Sequence, residues 1–147
     1  HFEVEKAIGL LFLEKKYMLR QDTQMRKKKK EDTEMPFIDS KISMKLSEEK
    51  KDALKDAYGK SISILNKPEE FLMVGIEDGY DLYMAGAKLE LGAYVSVSLF
   101  GDGTAEQYEN MTQEICRIME AELGIPANCV YVTYHGIHNW GWNGTNF

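Results

Sequence analysis

The chain has 147 residues, 44% of them apolar and 29% charged, which suits one soluble domain. Its net charge of −6 argues against a nucleic-acid partner, because phosphate recognition asks for a basic face. The longest apolar run near the start, Ala7 to Leu13, is too short to span a bilayer and lacks the basic start and cleavage site of an export signal, so neither a membrane nor conventional secretion is expected.

The charge is unevenly spread. Residues 1–34 hold nine Lys/Arg and seven Asp/Glu, net +2, whereas residues 35–147 hold nine and seventeen, net −8. Residues 1–34 therefore read as a charged N-terminal extension, disordered or foreign to the native protein, with 3–20 able to form a transient helix. The five consecutive cations Arg26 to Lys30 read as a solvated run; an anionic-surface patch is the sharper alternative.

From Met35 the pattern changes, and residues 35–147 read as one domain. Pro36 to Ser43 alternates as a strand, with proline at the first position, where a missing N–H does little harm. Ser47 is an N-cap followed by Glu48 and Glu49, where the helix dipole favours acids. Leu54, Ala57, Tyr58, Ser61, Ile64 and Leu65 then recur at helical spacing, until Asn66-Lys67-Pro68 stops the helix. Phe71 to Ile76 is a nearly continuous apolar run, as expected of a central strand. Glu77-Asp78-Gly79 is a turn, and Asp81 to Met84 a short extended piece. Ala93 to Phe100 alternates cleanly. Thr104 and Gln107 have capping-box spacing, ahead of a stripe through Tyr108, Met111, Ile115, Ile118, Met119 and Leu123, with Gly124 as C-cap. Val130 to Tyr134 is a strand, His135 to Asn139 a loop, and Trp140 opens an aromatic tail.

The order is strand–helix–strand twice over. Right-handed crossovers place both helices on one face of a four-stranded mixed sheet, an α+β fold built from two βαβ units. The other sheet face stays bare, and self-association is the expected cover.

Met35-Pro36-Phe37-Ile38 at a strand start, Asn66-Lys67-Pro68 after the first helix, Val130-Tyr131-Val132 in the last strand, and Gly141-Trp142-Asn143 with Phe147 together resemble the macrophage migration inhibitory factor and D-dopachrome tautomerase family of the tautomerase superfamily. The resemblance covers 35–147 and implies a homotrimer with sheets around a central channel and active sites between subunits. It implies that Met35 is removed and that Pro36, freed as a secondary amine, is the catalytic base. Lys67 would hold a substrate carboxylate, and Leu99 would stand beside a pocket N–H. Tyr131 of a neighbouring subunit would line the pocket, and Trp140, Trp142 and Phe147 would form an aromatic wall. Thr133 stands where mammalian members carry asparagine, and their CxxC is replaced by Gly92-Ala93-Tyr94-Val95, which removes a thiol redox reading. The implied substrate is a small aromatic α-keto acid of the phenylpyruvate or dopachrome type, with no cofactor and no metal. The implied location is cytoplasmic, with export by an unconventional route.

Each residue also has an ordinary reading. Pro36 suits any strand start, Lys67 a helix end, and Tyr131 and the tryptophans a core or interface. Cys116 and Cys129, without CxxC spacing, read as buried reduced thiols. His135 and His138 lack a third ligand nearby, so no metal is expected. A cytokine-like protein engaging a cell-surface receptor is the rival to the enzyme. If residues 1–34 stay attached, Pro36 is an amide and the base does not exist.

Overall fold

The computed structural model describes residues 2–32 and 35–146, with side chains from Glu3 to Thr23 and from Met35 to Asn146. The chain divides into two units, His1–Thr33 and Glu34–Phe147. In the first, the helix expected over 3–20 runs further, as one continuous helix, α1, Phe2–Asp32. Local propensity accounts for it: Leu, Met, Lys, Gln and Glu dominate, no proline interrupts, and Glu3 and Glu5 complement the dipole in the first turn. Among the described residues no helix is long and apolar enough to cross a membrane.

The second unit carries its own core. Its main sheet comprises β1 (Pro36–Ile42), β2 (Met73–Glu77), β5 (Ala93–Phe100) and β6 (Val130–Ile137), in the order β2-β1-β5-β6. β1 runs parallel to β2 and antiparallel to β5, and β5 runs parallel to β6, so the sheet is mixed, as expected. Burial alternates along β1 and β5. Ile38, Ile42, Val95 and Val97 face helices α2 (Glu48–Ser61) and α3 (Ala105–Leu123), which contribute Leu54, Tyr58, Met111, Ile115, Ile118 and Met119. Among these, Tyr58 and Ser40 share a 2.6 Å hydroxyl–hydroxyl hydrogen bond that ties α2 to β1.

The caps follow the sequence. Ser47 accepts from the Lys50 N–H, Thr104 and Gln107 form a reciprocal capping box, and Gly124 closes α3 in the left-handed region. Helix α2 runs into a 3-10 segment, Ile62–Leu65, ending at left-handed Asn66. Cys116 and Cys129 are half-buried free thiols, and burial pushes the Cys116 thiol pKa up.

Three expectations need correction. β2 is an edge strand within the chain, not a central one. Its apolar run is continuous because Val74 and Ile76 pack on the core while Phe71, Leu72 and Met73 line a cleft. The last strand continues through His135 to Ile137, where a loop was expected, because β5 offers pairing partners as far as Phe100. The aromatic tail is a hairpin, β7 (Gly141–Trp142) with β8 (Thr145–Asn146). Asn143 and Gly144, with φ of 52° and 79°, make the tight turn that Asn-Gly favours. A second small hairpin, β3 (Tyr83–Met84) with β4 (Ala87–Lys88), turns on Ala85 and Gly86.

The sheet face away from α2 and α3 is uncovered within the second unit. Phe37, Asp39, Lys41, Tyr94, Ser96, Thr133 and His135 lie on it, and Met73 and Tyr131 at its two edges are 69% and 63% exposed.

Candidate active site

Strand directions decide where the site can form. β5 and β6 both finish at the end of the sheet where β1 and β2 begin. Pro36 lies opposite Leu99, and Leu99 lies beside Gly136. The segment before β2, the start of β1 and the chain leaving β6 therefore converge. They enclose a cleft of about 820 Å³. Met35, Pro36 and Phe37 line it from β1, with Ser98 beside them. Glu70 to Met73 line a second side, and Ile137 and the stretch from Asn139 to Trp142 a third. Phe71 and Trp142 meet edge-to-face at 6.0 Å between centroids, which fixes the hairpin against the turn before β2.

A proline at the head of a central strand leaves no N–H for the ladder. Pairing is instead carried one residue further: the Phe100 N–H donates to the Met35 carbonyl at 2.9 Å. Met35 is 4% exposed and Pro36 is buried. The Lys67 ammonium reaches the same residue from the other side, donating to the Phe100 carbonyl at 3.3 Å. Lys67 and the Met35–Pro36 bond thus meet at one peptide strand, although Pro36 and Lys67 are far apart in sequence.

Of the sequence-predicted residues, Pro36, Trp140 and Trp142 line the cleft together, and Lys67 adjoins them through Phe100. Leu99 does not line the cleft. Its side chain is 1% exposed, on the buried face. Because bonded pairs alternate in an antiparallel ladder and Met35–Phe100 is one of them, the N–H directed at β1 belongs to Phe100 and that of Leu99 points toward β6. Tyr131 and Thr133 lie toward the far end of the sheet. Tyr131 pairs with Tyr94, which pairs with Lys41, five residues from Pro36 and about 17 Å along the strand. The chain does not bring Tyr131 to its own cleft. The Thr133 hydroxyl shares hydrogen bonds with the Tyr94 hydroxyl at 2.8 Å and with His135 Nε2 at 3.1 Å. Phe147 lies outside the described residues.

Sequence reasoning passed over Phe37, Glu70, Phe71, Met73, Ser98 and Asn139. Two signals pointed toward them: the apolar run starting at Phe71, before its strand, and the Asn143-Gly144 turn that folds Trp142 back. Among the described residues no group of three or more His, Cys, Asp or Glu could hold a metal ion.

Comparison with known proteins bears on the whole second unit. The family model for macrophage migration inhibitory factor matches residues 35–147. The macrophage migration inhibitory factor of Xenopus laevis is 31% identical over 83 residues, 55% of this chain and 71% of that protein. D-dopachrome decarboxylase-B of Xenopus laevis is 23% identical over 113 residues, 76% of this chain and 96% of its own length. Among solved structures, MIF2 of Leishmania major has a TM-score of 0.72 at 36% identity, covering 77% of this chain and 97% of that one. The macrophage migration inhibitory factor homologue of Prochlorococcus marinus has a TM-score of 0.69 at 26% identity, covering 76% and 98%.

Proposed function

The chain belongs to the macrophage migration inhibitory factor family of the tautomerase superfamily, and on that premise we propose that residues 36–147, beginning at a free Pro36, form a homotrimeric, cofactor-independent keto–enol tautomerase of phenylpyruvate-like α-keto acids. The observation that carries the reading is an apolar, aromatic-walled cleft around Pro36 with the Lys67 ammonium against the adjoining Phe100 peptide. A free α-amino group ordinarily has a pKa of about 8. An apolar wall and a nearby cation both disfavour its ammonium form, so a neutral amine is available near pH 7. It takes a proton from the carbon beside the keto group while the keto oxygen gains one; ketonisation runs the same steps in reverse. Lys67 pairs with the substrate carboxylate, and the Phe100 N–H, released when Met35 leaves, becomes a second donor at that end. The ring lies against Trp140 and Trp142. Tyr131 and Thr133 serve the cleft of a neighbouring copy, a reading supported by the exposure of Tyr131 and the bare sheet face. The test is turnover of enol-phenylpyruvate by protein beginning at Pro36 against its Pro36→Gly variant; equal rates sink the proposal.

One observation favours a second reading. With Met35 attached, its side chain is buried in the cleft and Pro36 is an amide. A chain that keeps Met35 has no base, and its role is then binding, as in a cytokine-like protein at a cell-surface receptor. Mass spectrometry of the natural N-terminus separates the two: a start at Pro36 supports the enzyme, and retained Met35 supports the binding protein.

A further inference from the structure

Among the described residues that line the cleft, Glu70 is the only one with an ionisable side chain. It belongs to a short 3-10 turn, Glu69–Phe71, whose two acids part company. The Glu69 carboxyl lies over Gly59 on α2, in the space that a Cβ there would need. Glu70 is exposed and faces the cleft, immediately before Phe71, which meets Trp142 edge-to-face. The cleft is otherwise lined mainly by apolar groups, where charges act more strongly on one another than in bulk water. Lys67 is engaged at the Phe100 carbonyl and does not line the cleft.

We infer that Glu70 is a specificity-determining residue that sorts ligands by the charge on their ring. It shares the cleft lining with the Phe71–Trp142 pair, against which a ring would pack. The cleft therefore takes aromatic α-keto acids whose ring is neutral or carries a cationic amine, and it disfavours those whose ring carries a second anion. The inference rests on the proposed tautomerase reading for its substrate class, but charge selection at Glu70 is also readable by binding alone.

The experiment uses phenylpyruvate and its 4-carboxy and 4-aminomethyl derivatives. Turnover is followed in protein beginning at Pro36. Binding is followed by Trp fluorescence in that protein and in the full chain. Two variants with the same change in net charge are compared, Glu70→Gln in the cleft and Glu69→Gln outside it. The 4-aminomethyl compound is preferred over the 4-carboxy compound in the parent protein. Glu70→Gln narrows that preference roughly threefold to tenfold, the size expected when one screened attraction and one screened repulsion at an exposed site are both lost. Glu69→Gln leaves it in place, and added salt narrows it in the parent and in Glu69→Gln but not in Glu70→Gln. An unchanged preference in Glu70→Gln, or an equal loss in both variants, overturns the inference. Charge-selective binding without turnover sinks the tautomerase reading and leaves the inference standing. Turnover without charge selection does the reverse, and neither binding nor turnover overturns both.

Discussion

Removing one partner of the Ser40–Tyr58 pair isolates a buried hydroxyl. Both residues are fully buried, and their oxygens are 2.6 Å apart. Tyr58→Phe strands the Ser40 hydroxyl, and Ser40→Ala strands that of Tyr58. Leaving a buried polar group unpaired costs roughly 1–3 kcal/mol, so each single variant loses that much stability. The double variant removes both groups and loses less than the sum, with a coupling of about 1 kcal/mol or more. Urea unfolding of the four proteins measures the cycle. Additive losses, with coupling below about 0.5 kcal/mol, would refute the pairing. The pair also sets an alkaline limit. Burial holds the Tyr58 hydroxyl pKa well above its usual value, and the Ser40 bond offsets only part of that rise. The unfolded chain therefore releases this proton first, and the folded state binds more protons than the unfolded state above pH of about 10. Stability is complete below that pH and declines as pH rises through it toward the raised folded value. Half-buried Tyr134, also raised by burial, adds to the decline. Tyr58→Phe flattens the slope; an unchanged slope contradicts the assignment.

Other perturbations follow from the same geometry. Lys67→Met, made in protein beginning at Pro36, raises KM for enol-phenylpyruvate roughly tenfold to a hundredfold with a smaller effect on kcat, since it removes a charged hydrogen bond to the substrate carboxylate; steady-state kinetics reads the split. Thr104→Ala breaks the capping box of α3 and costs about 1 kcal/mol in urea unfolding. Gly136→Ala costs roughly 1–3 kcal/mol in the same assay, because its Cβ would sit 2.7 Å from the Gly101 carbonyl oxygen and against the Asp102 carboxyl.

What could be read from the residues was what neighbours in sequence decide. Ser47, the Thr104–Gln107 box and Gly124 act within one helical turn, and strands β1 and β5 declare their faces by alternation. The two βαβ units follow from order and handedness. Strand position was harder: the apolar run from Phe71 to Ile76 reports burial but not what buries it, and here the core and the cleft share the work. The helix at 2–32 was legible only over 3–20, because charge repulsion was weighed over propensity along the rest of an unbroken stretch. Pro36, Lys67 and the tryptophans came from resemblance, since no local pattern reports that three distant segments meet. Whether Leu99 or Phe100 points its N–H at β1 needs the register, because in a strand one residue reverses both the side chain and the N–H.

The central claim is that catalysis depends on a free Pro36 nitrogen. The most direct measurement compares enol-phenylpyruvate turnover by protein beginning at Pro36 with that of the chain retaining Met35. The neutral amine predicts a rate advantage on the order of a hundredfold or more for the free proline, the contribution of a positioned general base. Equal turnover by the two proteins would contradict it.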